Sequence, residues 1–332
     1  ISEYINLLAI ESGIWNSFPK ISFISSFLVI LIILEVVLRI TGSKPRIDNL
    51  GREGDPIIYK NDEELGWSQK PGSYLFQPWS EEGRITNLTI NDDGSRYIQN
   101  QYVSELKILF FGGSLTQGWA VDDNETFVKY FQDLNPDFQV FNFGVGGYGG
   151  YQSLIYQQRI TNKFKNINHI IYGFIDHHEV RNVAAGSWLY MLNEYSRRGH
   201  VNLPFGSIEN GKLKKNSPIN YIKLPFSKYS ALIAKIEKRI MKFRSRNREN
   251  SQFEISKIII EEMSKNASDN NAKFSVLILD SRDENLIEYK NYFTTKNINF
   301  VHCPFPPNKF VKGEGHPNSD GHQDVANCIN EK

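Results

Sequence analysis

The run LKILFFGGSLTQG (106–118) decides the fold. Its apolar half is too short for a helix and has no polar alternation, the signature of a strand buried on both faces. The glycine pair stops it, and a polar, helix-like stretch begins near Asn124. The same unit recurs along the chain. FQVFNF (138–143), HIIYGF (169–174), KFSVLIL (273–279) and INFVHC (298–303) are further buried-strand candidates. Helix-period stretches lie near 150–165, 252–268, 283–293 and 319–330. Short apolar strands alternating with helices predict an α/β fold, a parallel sheet covered on both faces.

Composition narrows the function. The chain has 332 residues, with 38 Lys+Arg against 37 Asp+Glu and a formal net charge of +1. That balance argues against a dedicated nucleic-acid binder, which carries a basic excess. A hydrophobic content of 40% excludes a disordered chain. Two cysteines, Cys303 and Cys328, are too few for a disulfide scaffold or a thiolate zinc cluster, and a chain of this length needs no staples.

The apolar residues are unevenly spread. ISFISSFLVILIIL (21–34) carries no charge. As a helix it spans roughly 21 Å, and extension through EVVLRIT (35–41) brings it to roughly 31 Å, enough to cross a bilayer. Glu35 and Arg39 are four apart and can pair on one helix face. The expectation is an N-terminal tail (1–20) and a single membrane anchor (21–41), with a buried core helix as the alternative. Arg39, Lys44, Arg46 and Arg52 follow the segment, so local charge places the remainder on the cytoplasmic side.

Residues 42–103 form a turn-rich pre-domain, marked by GSKPRIDNLGREGDP and NDDGSRY. Residues 104–332 form the α/β domain, interrupted by an insertion at 183–250. Within it, KYSALIAKIEKRIMKFRSRNR (228–248) is a basic amphipathic helix candidate. It either packs through Leu232, Ile236 and Ile240, or lies on an anionic membrane or an acidic polymer.

Ligands of open parallel sheets bind at the carboxyl ends of the strands. Four loops therefore matter: GGSLTQG with Ser114, NFGVGGYGGYQ (142–152), YGFIDHHEVRN (172–182), and GEGHPNSDGHQDVA (313–326) with His316. A P-loop lysine and the dinucleotide-binding spacing are both missing, which sets aside a nucleotide binder. DHHE (176–179) invites a metal, but adjacent histidines at a strand end point to opposite sides.

With these blocks in order, the chain resembles the SGNH (GDSL-type) hydrolases, in the bacterial form with an N-terminal membrane anchor. DEELGWSQKPGS (62–73) and INDDGSRY (90–97) resemble that group's pre-domain motifs. KILFFGGSLTQGWAVDDNETF resembles its nucleophile block, NFGVGGYG its glycine block and HPNSDGHQDVA its histidine block. The resemblance implies a three-layer α/β/α sandwich of flavodoxin-like type, no cofactor and no metal. It implies Ser114 as nucleophile and His316 as its base, with the backbone N–H groups of Ser114 and Gly147 in an oxyanion hole. Such donors are worth about 3–4 kcal/mol each.

Two positions depart from the family pattern. The acidic residue before His316 is Glu314, where the family has Asp. The family's Gly-x-Asn-Asp is Gly173-Phe174-Ile175-Asp176, so the third donor must come from Asn182, His177 or His178, or the hole runs on two donors. The implied activity is hydrolysis of a small acyl ester, including O-acetyl groups of a glycan. The alternatives are an O-acyltransferase using the same site and a degenerate, non-catalytic glycan-binding or scaffold protein. The family form places the catalytic domain outside the cytoplasm, against the local charge bias.

Overall fold

The computed structural model describes residues 14–47, 54–79, 83–99, 101–195 and 201–332. Residues 1–13 of the expected tail, Arg52 with the rest of 48–53, and 196–200 of the insertion lie outside the described residues, as do 80–82 and 100. The chain divides into two compact units, one of residues 1–47 and 222–241, the other of 48–221 and 242–332.

In chain order, helix α1 (Ile14–Ile40) precedes four short strands: β1 (Tyr59–Asp62), β2 (Gly66–Gln69), β3 (Gly72–Phe76) and β4 (Thr86–Ile90). The alternating part begins with β5 (Lys107–Gly112), α2 (Ser114–Gln117), α3 (Phe127–Leu134) and β6 (Gln139–Gly144). It continues with α4 (Gly150–Thr161), β7 (Ile167–Ile175), α5 (His178–Asn182) and α6 (Gly186–Tyr195). A hairpin of β8 (Gly206–Glu209) and β9 (Lys212–Lys215) follows, then α7 (Ala231–Glu249) and α8 (Gln252–Asp269). The chain closes with β10 (Lys273–Asp280), α9 (Asp283–Thr295), β11 (Asn299–His302) and α10 (Ser319–Asn330).

The first unit holds α1, whose stretch Phe23–Ile40 is apolar and unburied. Its one carboxylate, Glu35, is fully used. It accepts from Arg39 Nε (2.6 Å), Ser230 Oγ (2.8 Å) and the N–H groups of Ala231 and Leu232 (both 2.9 Å). Arg46 faces the buried carboxylate of Glu237 at 3.5 Å.

The second unit is built on five parallel strands in the order β11-β10-β7-β5-β6. The inner strands β5, β7 and β10 are buried on both faces, so alternate residues feed two cores. Phe110 meets Phe127 and Phe131 of α3, whereas Phe111, next along the strand, meets Tyr156 of α4. On the Phe110 side, Val325 and Ala326 of α10 complete a cluster with Ile108, Val140 and Leu277. The architecture is thus an α/β/α sandwich. Strands β1 with β2 and β3 with β4 form antiparallel pairs outside the central sheet.

Two sequence expectations are corrected here. Cys303 and Cys328, set aside by their number, form a disulfide that ties the chain just past β11 to α10. One bridge is not a scaffold, but it joins two elements that 25 residues separate. In α7 the packed residues are Ala231, Ala234, Glu237, Met241 and Ser245, not Leu232, Ile236 and Ile240. Ile236 and Ile240 lie on the exposed side of the helix instead.

Candidate active site

In this strand order the chain reverses direction between β5 and β7, and that switch point opens a crevice at the carboxyl edge of the sheet. A cavity of about 610 Å³ lies there, lined by Ser114, Gly147, Ile175, Arg181, Glu314 and His316 among others.

Ser114 opens α2 directly after the extended Gly113, so its N–H has no acceptor within the helix. The turn that follows is held from beneath by Arg96 of the INDDGSRY motif. Its guanidinium donates to the carbonyls of Gln117 (2.9 Å), Gly118 and Val121 (2.6 Å), and its Nε meets Asp123 at 3.0 Å. The glycine loop after β6 presses against the same short helix. A Cβ on Gly144 would stand 2.4 Å from the Gln117 nitrogen. Gly147 has φ +84°, a conformation that favours glycine.

The hairpin β1–β2 reaches this loop. Trp67 Nε1 donates to the Gly146 carbonyl at 3.1 Å, and Tyr148 Oη donates to the Trp67 carbonyl at 2.5 Å. The Gly146 carbonyl and the Gly147 N–H belong to one planar trans peptide and point in opposite directions. Holding the carbonyl therefore fixes the direction of the N–H.

His316 enters from the loop before α10. Val311 N–H donates to the His316 carbonyl (2.8 Å), and Asn318 caps α10 by accepting from Gly321 N–H (3.0 Å). His316 Nε2 lies 2.9 Å from Ser114 Oγ, and both residues are buried. On the other ring nitrogen, Glu314 Oε1 stands 3.4 Å from Nδ1, with its side chain fully buried. That separation is longer than a well-formed hydrogen bond. Trp79 meets the imidazole edge-on at 5.3 Å, and Trp119 stands 6.0 Å away. A hydroxyl hydrogen-bonded to a ring nitrogen, with a carboxylate behind the ring, can pass its proton and become a nucleophile.

The third loop is different. Ile175 lines the cavity and offers no donor. Asn182 does not reach the cavity, because its amide is spent elsewhere: Oδ1 accepts from Tyr151 N–H and Nδ2 donates to Ser256 Oγ, both at 2.8 Å. Asn182 is therefore removed from the oxyanion candidates. It fastens α4 to α8, and its residue type alone did not reveal that. His178 turns inward, with Nδ1 on Tyr172 Oη at 2.6 Å. Burial, reinforced by Arg181, pushes His178 well below the usual histidine range. His177 faces the cavity and is lowered to about 4 by burial and then by Arg181. Both rings are neutral near pH 7. Asp176 is held by Ser281 Oγ (2.7 Å) and Arg282 N–H (2.8 Å), which closes this loop onto the start of α9.

Sequence reasoning missed Arg181 and the tryptophans. Arg181 lines the cavity, donates from Nη1 to the Tyr148 carbonyl at 2.9 Å and lies over the Trp188 ring at 4.6 Å. Trp119 stands within the nucleophile block itself, five residues past Ser114, a signal that was available. His322 is structural: Nδ1 accepts from Phe127 N–H at 3.1 Å, and burial lowers it to about 3.

No family model matches the chain, and no curated protein matches it. Among solved structures, the chain is similar to a member of the lipolytic protein G-D-S-L family from Veillonella parvula. Identity is 12% and the TM-score 0.40, covering 68% of this chain and 97% of that one. A putative lipolytic protein of the G-D-S-L family from Desulfitobacterium hafniense is similar at 10% identity and TM-score 0.41, covering 68% and 98%. Similar too is a carbohydrate acetylesterase from Sinorhizobium meliloti, at 8% identity and TM-score 0.36, covering 68% and 96%.

Proposed function

We propose that this chain is a membrane-anchored serine esterase of SGNH type acting on a small acyl ester, with O-acetyl groups of a glycan as the favoured class. The observation that carries the reading is the 2.9 Å contact between Ser114 Oγ and His316 Nε2 inside a switch-point cavity.

Ser114 Oγ attacks the ester carbonyl carbon while His316 Nε2 takes the hydroxyl proton. The carbonyl oxygen becomes an oxyanion facing the N–H groups of Ser114 and Gly147, the latter oriented by Trp67 through the Gly146 carbonyl. Collapse of the intermediate breaks the bond to the alcohol, which leaves with the proton from His316. Water then attacks the acyl-serine and gives a proton to His316, which passes it to Ser114 Oγ as the acid leaves, restoring the starting pair. Glu314, buried behind the ring, favours the imidazolium form during both transfers. A cavity of about 610 Å³ exceeds an acetyl group, so room remains for the alcohol portion. The assembled Ser114–His316 pair argues against a degenerate binding protein.

The apolar helix α1 supports the anchor. The Cys303–Cys328 bridge supports an oxidising, extracytoplasmic location for the catalytic unit. Two cations behind the opposite charge bias are paired locally, Arg39 with Glu35 and Arg46 with Glu237. The test is turnover of p-nitrophenyl acetate and release of acetate from an acetylated polysaccharide by purified full-length protein. Turnover of both supports the reading. Failure to turn over either, in folded protein, overturns it.

A further inference from the structure

Helix α7 has two apolar faces. At about 100° per residue, Ala231, Ala234, Met241 and Ser245 project to one side, and Leu232, Ile236, Ile240 and Phe243 to the opposite side. The first set is buried. On the second, Ile236 is 44% exposed, Ile240 36% and Phe243 80%. A soluble helix buries its one apolar stripe and turns its charges to water. Here the outward stripe is apolar and flanked by exposed Lys235, Arg239, Lys242 and Arg246. Glu237, the sole acidic residue between 231 and 248, points inward, where its carboxylate accepts from Leu224 N–H and faces Arg46.

The start of this helix is joined to α1. Glu35, near the end of the apolar segment, accepts from Ser230 Oγ and from the first two N–H groups of α7, serving as its N-terminal cap. Arg39 binds Glu35 and donates to the Tyr229 carbonyl at 2.6 Å. The approach to the cap carries two exposed aromatics, Phe226 and Tyr229, at 71% and 76%. Aromatic residues with an adjacent cation suit the headgroup region of a bilayer. A carboxylate that caps another helix from within an apolar segment places that helix end at the same depth.

We propose that the outward face of α7 lies in the headgroup region of an anionic phospholipid leaflet, beside the point where α1 leaves the membrane. The inference rests on the anchor reading of α1. The stripe of Ile236, Ile240 and Phe243 enters the acyl boundary, and Lys235 and Arg239 meet lipid phosphates. The exposed cations of α7, rather than the paired Arg39 and Arg46, are then the lipid-binding groups.

The full-length protein, reconstituted in vesicles, tests this. The native cysteines are bridged, so Ile240→Cys carries a single reactive thiol for an environment-sensitive fluorophore, and Phe27→Cys in α1 serves as control. Quenching is read from nitroxide-labelled lipids in phosphatidylglycerol-rich and in pure phosphatidylcholine vesicles. The expected result is quenching at position 27 in both vesicles. At position 240, quenching is strong with phosphatidylglycerol, weak with phosphatidylcholine, and lost on Lys235→Glu with Arg239→Glu at unchanged melting temperature. Quenching at 27 but not at 240 with phosphatidylglycerol overturns the proposal and leaves the anchor standing. Absence of quenching at both positions overturns the two together. A blue shift at 240 that tracks protein concentration without lipid quenching means a second copy covers the stripe, and also overturns the proposal.

Discussion

The loop after β5 and the loop after β7 leave adjacent strands and border the same cavity, yet they are made of different material. The first, with the glycine loop after β6 beside it, presents a hydroxyl and backbone N–H groups, kept in place by the carbonyl contacts of Arg96 on the β5 side and of Trp67 on the β6 side. The second presents Ile175, a neutral His177 and Arg181, and spends Asp176 and Asn182 on its own support. Backbone donors survive every substitution except proline, whereas a side-chain donor does not. A site whose charge stabilisation rests on main-chain N–H groups tolerates an isoleucine where a donor would stand. On the reading proposed above, the β5 loop with its supports makes and breaks bonds, and the β7 loop shapes what enters.

This division has consequences of graded size. Ser114→Ala removes the nucleophile, and kcat for p-nitrophenyl acetate falls on the order of 10⁶-fold, with little change in melting temperature. Glu314→Gln, assayed the same way, costs well short of the ~10⁴-fold seen when a directly bonded triad carboxylate is lost, because Glu314 Oε1 stands 3.4 Å from Nδ1. A full 10⁴-fold loss would show that the contact tightens when substrate binds.

Trp67→Phe keeps the buried ring and deletes only the donor to the Gly146 carbonyl. Deleting an oxyanion donor outright costs about 10²–10³-fold. Loosening one through its peptide costs less, and the loss falls on kcat with KM unmoved. A rise in KM instead would make Trp67 a wall of the cavity rather than a support for Gly147. Ile175→Ala tests the other loop: KM rises about tenfold for the bulkier esters while kcat holds. A drop in kcat would mean the β7 loop takes part in the chemistry.

The smallest effect is on stability. Burial raises Glu179 to about 7, with Asp176 adding to the shift and the Tyr289 hydroxyl opposing it. A raised carboxyl binds its proton more tightly in the folded chain than in the unfolded one, whose ordinary value is 4.5. Its contribution is therefore complete below that value and is lost as pH rises through about 7. Glu179→Gln should flatten the fall in melting temperature across that window, leaving kcat unchanged.

Much of this was legible in the sequence. The five strands are short apolar runs closed by glycine or polar residues, so period and punctuation found them. The loops of Ser114 and His316 were legible because both follow the sheet's strands, and the structure brings the two side chains together. What stayed hidden depended on which side of an element meets the core. The period of α7 shows an apolar stripe at Leu232, Ile236 and Ile240 but not that the opposite side, with Ala231, Ala234, Glu237 and Met241, is the packed face. Asn182 is a plausible donor by type, yet α4 and Ser256 claim it. Whether Cys303 and Cys328 meet is decided by the docking of α10, which no count of cysteines reveals. The Asn210-Gly211 turn joining β8 to β9 was a local signal that could have been read, with both residues at positive φ.

The central claim is that Ser114, activated by His316, carries the acyl group. Exposing the full-length protein to a serine-reactive fluorophosphonate and mapping the adduct by mass spectrometry tests it most directly. The account predicts one adduct, on Ser114, abolished by Ser114→Ala and slowed strongly by His316→Ala. Folded protein that takes no label, or takes it on another residue, would contradict it.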